Sequence, residues 1–258
     1  MLRFDSFVQG REAHLSQERG KRSDHGTPDG PRGLSGTGSN QAQPGLPRPR
    51  VLENFVVLEG LDGSGTTTQL HLADQQLESR GVPHFCTGEP TKGPVGRLIR
   101  QILKRQTQAG PDTVALLFAA DRNEHLYEEN EGIVARLRRG ELVVCDRYLF
   151  SSLAYQSLAC DPQFVFYLNH HFPLPRHLVF LDTPVTMSQE RLTNRCAEGP
   201  ELYDELEIQQ DILSAYERGF RRFPGAQMQL HRLDGSQEPE LVFEKFWSIL
   251  ESLPIVKG

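Results

Sequence analysis

Short apolar runs alternate with amphipathic stretches from about residue 51 to the end of the chain. The run FVVLE at 55–59 has the length and apolar character of a strand buried on both faces of a parallel sheet. The pattern along the chain predicts five strands, at 55–59, 84–87, 142–145, 177–181 and 228–233. Helical periodicity predicts helices at about 66–80, 95–106, 112–139, 150–159, 162–170, 203–222 and 238–252, with another opened by Thr183-Pro184. This alternation predicts an α/β fold, a parallel five-stranded sheet flanked by helices.

The first 50 residues differ from the rest of the chain. They contain 8 glycines and 5 prolines and show neither a helical nor a strand period. Such a segment buries too little apolar area to offset the entropy lost on ordering. The sequence therefore predicts a disordered N-terminal extension at 1–50 and a folded domain at 51–258. The extension's 8 basic and 5 acidic residues are scattered, which favours a dispensable segment over a basic tail for an anionic partner.

Charge and cysteine usage narrow the possible partners. The chain has 28 Lys+Arg against 34 Asp+Glu, a net charge of −6, which argues against a general binder of nucleic acid polymers. No apolar run reaches eighteen residues and the N-terminus lacks an apolar signal core. The sequence therefore predicts a cytoplasmic protein with no membrane partner. The four cysteines lack a CxxC pair, which favours reduced thiols over a disulfide framework or a zinc site.

A glycine-rich loop follows the first predicted strand. Four residues separate Gly60 from Gly65, and Thr67 opens the next helix, which is the spacing of a phosphate-binding P-loop. Glycines let backbone N–H groups surround phosphates, and the helix N-terminus adds positive potential there. The hydroxyl of Thr67 is expected to face Mg²⁺. The loop residues expected to contact the phosphates are Gly60, Gly63, Ser64, Gly65, Thr66, Thr67 and Thr68.

One position departs from the P-loop motif. The residue after the last glycine is normally a lysine that reaches the β- and γ-phosphates, but here it is Thr66. A neutral hydroxyl cannot supply that charge. Two alternatives follow: a kinase that takes a cation from another segment, or a nucleotide-binding module with weak or no turnover.

Two further segments carry residue types suited to a substrate. Phe118 and Arg122 are four residues apart in a predicted helix and therefore share one face. There a ring can stack on a base, and a guanidinium can donate to a carbonyl or a phosphate. Asp146 and Arg147 follow a predicted strand, at the sheet edge where open parallel sheets bind ligands. Polar side chains continue at helical spacing, at Ser152 and Gln156. A structural ion pair with a helix cap would explain the same Asp-Arg motif without a ligand.

Residues 53–252 resemble the thymidylate kinases, P-loop enzymes that make dTDP from dTMP and ATP. The resemblance rests on motifs in a fixed order: ExxDGxGxTTQ at 59–69, a Glu-Pro loop with GPVGRLIR at 89–100, LLFAADR at 116–122, DRYxxSSLAYQ at 146–156, ExYDxxExQ at 201–209, and Asp234-Gly235-Ser236. It implies the P-loop kinase fold, ATP and dTMP as substrates, Mg²⁺ as cofactor and a homodimer built through helical faces. A related deoxynucleotide kinase is the alternative among enzymes.

The resemblance also implies roles for single residues. Phe118 would stack on thymine, Arg122 would bind its carbonyl edge, and Arg147 would bind the dTMP phosphate. The implied dTMP contacts are Asp62, Phe118, Arg122, Arg147, Ser152, Gln156, Tyr203 and Gln209. The implied ATP contacts are the P-loop residues with Asp234 and Ser236. The implied catalytic residues are Asp62, Arg147 and, from a lid over the ATP phosphates, Arg195; the implied metal ligands are Thr67 and Asp146.

Three positions depart from the family's pattern, and each departure removes a cation. Thr66 replaces the P-loop lysine, Gly88 occupies the position of an arginine before the Glu-Pro loop, and Leu202 replaces a lid arginine. Basic residues close in sequence could compensate, namely Lys92, Arg97 and Arg100 for the acceptor and Arg191 and Arg195 for the donor. Arg195 is the first choice, because a lid can bring charge in when it closes.

Overall fold

The computed structural model describes residues 49–195, 206–224 and 226–257. Five parallel strands form one sheet in the order β2-β3-β1-β4-β5. The strands are β1 Val51–Gly60, β2 His84–Gly88, β3 Leu142–Asp146, β4 Leu174–Asp182 and β5 Gln229–Asp234. The predicted parallel α/β sheet is confirmed, and β1 and β4 extend beyond their predicted cores.

Helices connect the strands and flank the sheet. They are α1 Thr66–Ser79, α2 Pro94–Leu103, α3 Pro111–Tyr127, α4 Ile133–Arg138, α5 Leu149–Tyr155, α6 Pro162–Asn169, α7 Val185–Arg195, α8 Leu206–Phe220, α9 Pro239–Glu251 and α10 Pro254–Lys257, with a 3₁₀ turn at Gln156–Leu158. Within the described ranges, none of these helices has the length and apolar character needed to cross a bilayer.

The helix predicted at 112–139 is in fact two helices, α3 and α4. The chain leaves α3 at Glu128, whose ψ of 132° is not helical. The Glu128 carboxylate accepts hydrogen bonds from the backbone N–H groups of Asn130 and Glu131, which closes a turn. A Cβ at Gly132 would lie 2.5 Å from the carbonyl oxygen of Glu128, so this turn accepts only a glycine there.

Apolar packing on both faces holds the central strand. Residues 55–58 of β1 have no exposed surface. Because successive strand side chains point to opposite faces, Val56 joins a cluster with α1 and α9, while Phe55 packs edge-on against Tyr148 with ring centroids 5.2 Å apart. The end of β1, which begins the P-loop, is therefore fixed from both sides.

The carboxyl ends of the strands lie side by side. Asp146 of β3 pairs with Leu58 of β1 and with Gly88 of β2. In the other half of the sheet, Asp182 of β4 pairs with Asp234 of β5. The loops that leave these strands therefore share one edge, which is where ligands bind in open parallel sheets.

The predicted extension at 1–50 lies almost wholly outside the described residues, so its disorder stays a prediction. The first described residues already belong to the folded part. The Arg50 carbonyl accepts a hydrogen bond from the Leu174 N–H at 2.7 Å, immediately before β1 begins.

Candidate active site

The P-loop folds as a tight turn between β1 and α1. Gly63 and Gly65 have φ angles of 81° and 103°, in the left-handed region that favours glycine. A Cβ at Gly60 would lie 2.4 Å from the Ser64 hydroxyl oxygen. The Ser64 N–H donates to the Leu61 carbonyl at 3.0 Å. The glycine spacing therefore serves the backbone geometry that a phosphate cradle needs.

Thr67 and Asp146 meet at the first turn of α1. The Thr67 hydroxyl donates to Oδ2 of Asp146 at 2.7 Å. The other oxygen, Oδ1, is buried and has no hydrogen-bond partner among the described residues. Hydroxyl and carboxylate oxygens are ligands that Mg²⁺ accepts, and a buried oxygen with no partner is available to a cation. The pair expected from the sequence to hold Mg²⁺ is thus brought together and fits the ion.

Arg147 lies between the P-loop and α5 with its guanidinium held on several sides. Its Nη2 is 2.6 Å from Oδ1 of Asp62, and its Nη1 donates to the Gly60 carbonyl at 3.0 Å. The hydroxyls of Tyr155 and Tyr216 lie 3.3 and 3.4 Å from Nη1. The residue has a left-handed φ of 68°, a strained conformation that persists only where surrounding contacts impose it. The structure therefore fixes one guanidinium beside the predicted phosphate loop.

A buried carboxylate that the sequence reasoning did not assign supports this arrangement. Oε1 of Glu59 accepts from the backbone N–H groups of Tyr148 and Ser151 at 2.9 and 3.1 Å. Its Oε2 accepts from the hydroxyls of Ser151 and Tyr216 at 2.6 and 2.9 Å. Glu59 thereby caps the start of α5 and fixes the residues around Arg147. The signal was present, because Glu59 is the one charged residue in the apolar run FVVLE.

Burial raises the pKa of Glu59 from 4.5 to about 7, although hydrogen bonds from Ser151 and the Arg147 charge lower it. A folded-state pKa above the unfolded value adds stability at low pH, and this stability is lost as pH rises towards 7. We expect this group alone to reduce the free energy of unfolding by about 2 kcal/mol between pH 5 and pH 7. The substitution Glu59→Gln should remove that part of the pH dependence. Urea unfolding at both pH values measures it.

The matched control for this pH experiment is Glu251→Gln, which changes a half-exposed carboxylate paired with Arg80. It should leave the pH dependence of the wild-type protein in place. Parallel pH profiles for the wild type and Glu59→Gln would show that Glu59 stays ionised when buried.

Arg122 is buried in a hydrogen-bond network, with 1% of its surface exposed. Its Nε donates to Oε2 of Glu89 at 2.9 Å, and its Nη2 donates to the Ser152 hydroxyl at 3.0 Å. Its Nη1 donates to the amide oxygen of Asn169. Phe118 lies one turn earlier on α3 and is half-buried. Sequence reasoning missed Glu89 and Asn169 as partners, because no local spacing links them to Arg122.

The remaining acceptor-side residues differ in how the structure places them. Gln156 and Gln209 are buried, at 3% and 0% exposure. The amide oxygen of Gln156 has no hydrogen-bond partner in the described part of the chain, so it can accept one from a ligand. Tyr203 and Leu202 lie outside the described residues, as does the side chain of Arg195.

On the donor side, Arg191 reaches the P-loop. Its Nη1 lies 3.1 Å from the Gly235 carbonyl oxygen and 3.4 Å from that of Ser64. Helix α7, which carries Arg191, packs directly on the loop, because a Cβ at Gly63 would lie 2.4 Å from the carbonyl oxygen of Ser188. The structure thus brings the second-choice cation to the loop that lacks a lysine.

The loop after β5 lies beside the P-loop as well. The Ser236 N–H donates to Oδ1 of Asp234 at 3.0 Å, and the Ser236 hydroxyl donates to the same oxygen. These hydrogen bonds lower the pKa of Asp234 below its ordinary value. A Cβ at Gly235 would lie 3.5 Å from the Ser64 carbonyl oxygen. The two segments expected to contact ATP are therefore neighbours.

Gly88 lies against Asp146 at the edge of the sheet. A Cβ at this position would be 2.9 Å from the Asp146 carbonyl oxygen and 3.3 Å from its Cβ. Of the cations close by in sequence, Arg100 donates to the carbonyls of Thr91 and Pro90 and so holds the Glu-Pro loop. Arg97 is exposed and donates to a loop carbonyl at 2.9 Å.

The family model for thymidylate kinase matches residues 58–246. The chain belongs to the thymidylate kinase family. A thymidylate kinase homologue of Treponema pallidum (strain Nichols) is 41% identical over 199 residues, which cover 76% of this chain and 93% of the relative. A second homologue, from Aeropyrum pernix, is 38% identical over 182 residues, covering 70% and 85% of the two chains.

The fold of the chain is similar to that of a solved thymidylate kinase structure. The thymidylate kinase of Candida albicans superimposes with a TM-score of 0.62 at 19% identity, covering 81% of this chain and 94% of the other. The resemblance read from the motifs and the P-loop kinase fold are both confirmed. The roles of single residues stay predictions.

Proposed function

We propose that the chain transfers the γ-phosphoryl group of ATP to dTMP and so makes dTDP for dTTP synthesis. The observation that carries the proposal is the position of Arg147 in a thymidylate kinase family member. Its guanidinium lies within hydrogen-bond distance of both Asp62 and the P-loop carbonyl of Gly60, at the sheet edge that also holds Thr67 and Asp146. At this position the Arg147 guanidinium could bind the phosphate of dTMP close to the phosphates of ATP in the P-loop.

In this reaction the protein positions the two substrates and stabilises the charge of the transition state. A phosphate oxygen of dTMP attacks the γ-phosphorus of ATP in line, and the bond to the β-phosphate oxygen breaks. The acceptor phosphate is mostly ionised at pH 7, so no side chain has to remove a proton. Arg147 would bind the acceptor phosphate, with Asp62 fixing the guanidinium and approaching the sugar 3′-hydroxyl or the metal. Thr67 and Asp146 would hold Mg²⁺, which neutralises phosphate charge when bound.

Recognition of thymine is proposed for helix α3 and the residues around it. Phe118 would stack on the base, and Arg122 would face its carbonyl edge. The polar side chains expected nearby are Ser152, Gln156, Tyr203 and Gln209. Arg122 is already held by Glu89 and Ser152, so its guanidinium would be positioned before the ligand arrives.

Replacing Phe118 with alanine should weaken dTMP binding with little change in kcat. Stacking of a base on an aromatic ring contributes about 1–3 kcal/mol, which corresponds to a KM for dTMP raised about 5- to 150-fold. Steady-state kinetics with varied dTMP measures the change. The control Tyr167→Ala removes a half-exposed ring from α6 and should leave KM unchanged. An unchanged KM in Phe118→Ala would place the base elsewhere.

A coupled assay of ADP release tests the proposed function directly, with dTMP, dUMP, dCMP and AMP compared as acceptors. We expect Mg²⁺-dependent turnover with preference for dTMP. An Asp146→Asn preparation, purified in the same way, sets the background from contaminating kinases. Calorimetric binding of dTMP without any ADP release would instead support a nucleotide-binding module. Preference for another acceptor would support a related nucleotide kinase.

We also propose a homodimer, because apolar side chains are exposed on neighbouring helices. Leu98 of α2 and Leu116 of α3 are 39% and 50% exposed, and a second copy of the chain would cover them. Light scattering on the eluting protein should give twice the chain mass, and Leu116→Asp should shift it towards the monomer. A monomer at assay concentration would contradict the proposal. The cytoplasmic location stays a prediction from the sequence.

A further inference from the structure

Three side chains with metal-binding atoms meet between α1 and β2, outside the site described above. Asp74 lies in the third turn of α1, and His84 and Cys86 are alternate residues of β2. Alternate strand residues point to one face of a sheet. One ligand atom from each of the three residues lies within 4.8 Å of the other two. The cluster combines a carboxylate, an imidazole and a thiol in one place.

The orientation of His84 leaves one ring nitrogen for a cation. Its Nδ1 lies 2.7 Å from the Val82 carbonyl oxygen, which can only accept, so Nδ1 carries the proton. The neutral ring then presents the lone pair of Nε2, and this atom faces Oδ1 of Asp74 at 3.2 Å. Two acceptor atoms at that distance need a proton or a metal ion between them. An Nδ1–H bond to a carbonyl is also how proteins orient metal-binding imidazoles.

Involvement of the Cys86 sulfur would distinguish a bound metal ion from a proton shared by His84 and Asp74. The thiol is half-buried and lies beside Asp74; burial, the Asp74 charge and a hydrogen bond to Asp74 all raise its pKa. A metal ion that binds the sulfur would take it as the thiolate and release its proton to solvent. A proton shared by His84 and Asp74 would not involve the sulfur.

We propose that Asp74, His84 and Cys86 bind a zinc ion, separately from Mg²⁺ at Thr67 and Asp146. Thiolate and imidazole ligands select zinc-type ions, whereas Mg²⁺ takes oxygen ligands. Bonds of about 2.0–2.3 Å in a tetrahedron place ligand atoms about 3.3–3.8 Å apart. The Asp74 side chain is 52% exposed, which leaves it room to adjust to that geometry, and water would take the fourth position.

The bound ion would join α1, which begins at the P-loop, to the edge strand β2, which leads into the Glu-Pro loop. The cysteine spacing did not indicate a zinc site, because the ligands come from two elements and only one of them is a cysteine. The short signal in the sequence is His84-x-Cys86 on a single strand.

Cobalt substitution tests the site, because a cobalt–thiolate bond gives a near-ultraviolet charge-transfer band. The full chain, without a histidine tag and stripped with a chelator, is titrated with Co²⁺ and then with Zn²⁺. We expect the band to saturate at one Co²⁺ per chain and to disappear on addition of Zn²⁺ but not Mg²⁺. Cys86→Ser should abolish the band, whereas the matched control Cys160→Ser should retain it. No band in the wild type, or a band that persists in Cys86→Ser, would overturn the proposal.

A second pair of variants keeps the test valid where Cys86→Ser folds poorly. Asp74→Asn changes an exposed residue and should bind Co²⁺ at least about tenfold more weakly, with an unchanged circular dichroism spectrum. His231→Gln serves as its control, because the ring nitrogens of His177 and His231 lie 2.9 Å apart and offer another place for an ion. Wild-type affinity in Asp74→Asn with lost binding in His231→Gln would move the ion to the histidine pair and overturn the proposal.

Discussion

Replacing Arg147 with alanine is expected to lower kcat/KM for dTMP by about 10²- to 10³-fold. Removing one preorganised donor from a charged transition state typically has an effect of this size. The guanidinium is preorganised here, since Asp62 lies 2.6 Å away and the Gly60 carbonyl 3.0 Å away on the other nitrogen. Rates of ADP release with varied dTMP give both kinetic constants. Arg139→Ala is the control, because it removes an exposed arginine paired with Glu141 and should leave them unchanged.

The left-handed backbone at Arg147 allows a further comparison. Arg147→Gly removes the guanidinium and also relieves the strain of a φ of 68°. We expect this variant to be at least as stable as Arg147→Ala and equally inactive. If either variant keeps wild-type kcat and KM, the acceptor phosphate binds elsewhere.

Replacing Arg191 with alanine is expected to lower kcat by about 10²- to 10³-fold while raising the KM for ATP much less. Thr66 supplies no charge to the phosphates, whereas the Arg191 guanidinium lies 3.4 Å from the Ser64 carbonyl oxygen of the P-loop. The backbone N–H groups and the helix N-terminus that we propose to bind phosphates are still present in the variant, so ATP should still bind. Steady-state kinetics with varied ATP separates the two constants.

Two further variants decide where the substitute cation comes from. Arg195→Ala tests the first choice from the sequence, in the same assay. The double variant Thr66→Lys, Arg191→Ala should recover part of the lost kcat, because it restores a charge at the usual P-loop position. If Arg191→Ala and Arg195→Ala both turn over normally, the charge comes from elsewhere, with Lys92 or a second metal ion as the next candidate.

The inner strands β3, β1 and β4 were predictable because both of their faces are largely buried. Residues 55–58 and 142–145 therefore stand out as unbroken apolar runs. The break between α3 and α4 was not predictable in this way. The segment 128–132 contains good helix-forming glutamates, and the turn depends on how closely Gly132 approaches the carbonyl of Glu128. Such contacts leave no period in the sequence.

Site residues could be predicted from the sequence where they belong to a motif with a fixed spacing. They could not be predicted where residues far apart in the sequence share hydrogen bonds. The pairing of Thr67 with Asp146 followed from the motifs, and the structure brings the two together. The network around Glu59 joins it to Ser151 and Tyr216, which lie 92 and 157 residues further along the chain. Only the fold makes them neighbours, so a single charged residue in an apolar strand was the one available sign.

The close approach of Gly88 to Asp146 also limits how the sequence can change. An arginine at position 88 would restore the family's pattern, yet any side chain there meets the Asp146 carbonyl oxygen at 2.9 Å. The substitution Gly88→Arg is therefore blocked as a single step until β2 and β3 move apart beside the Asp146 carboxylate. In a randomised library, improved acceptor binding should arise from Lys92 or Arg97 and their neighbours, with glycine retained at 88. A side chain at position 88 therefore depends on a concerted shift of two neighbouring strands, and the glycine is coupled to its partner across the sheet.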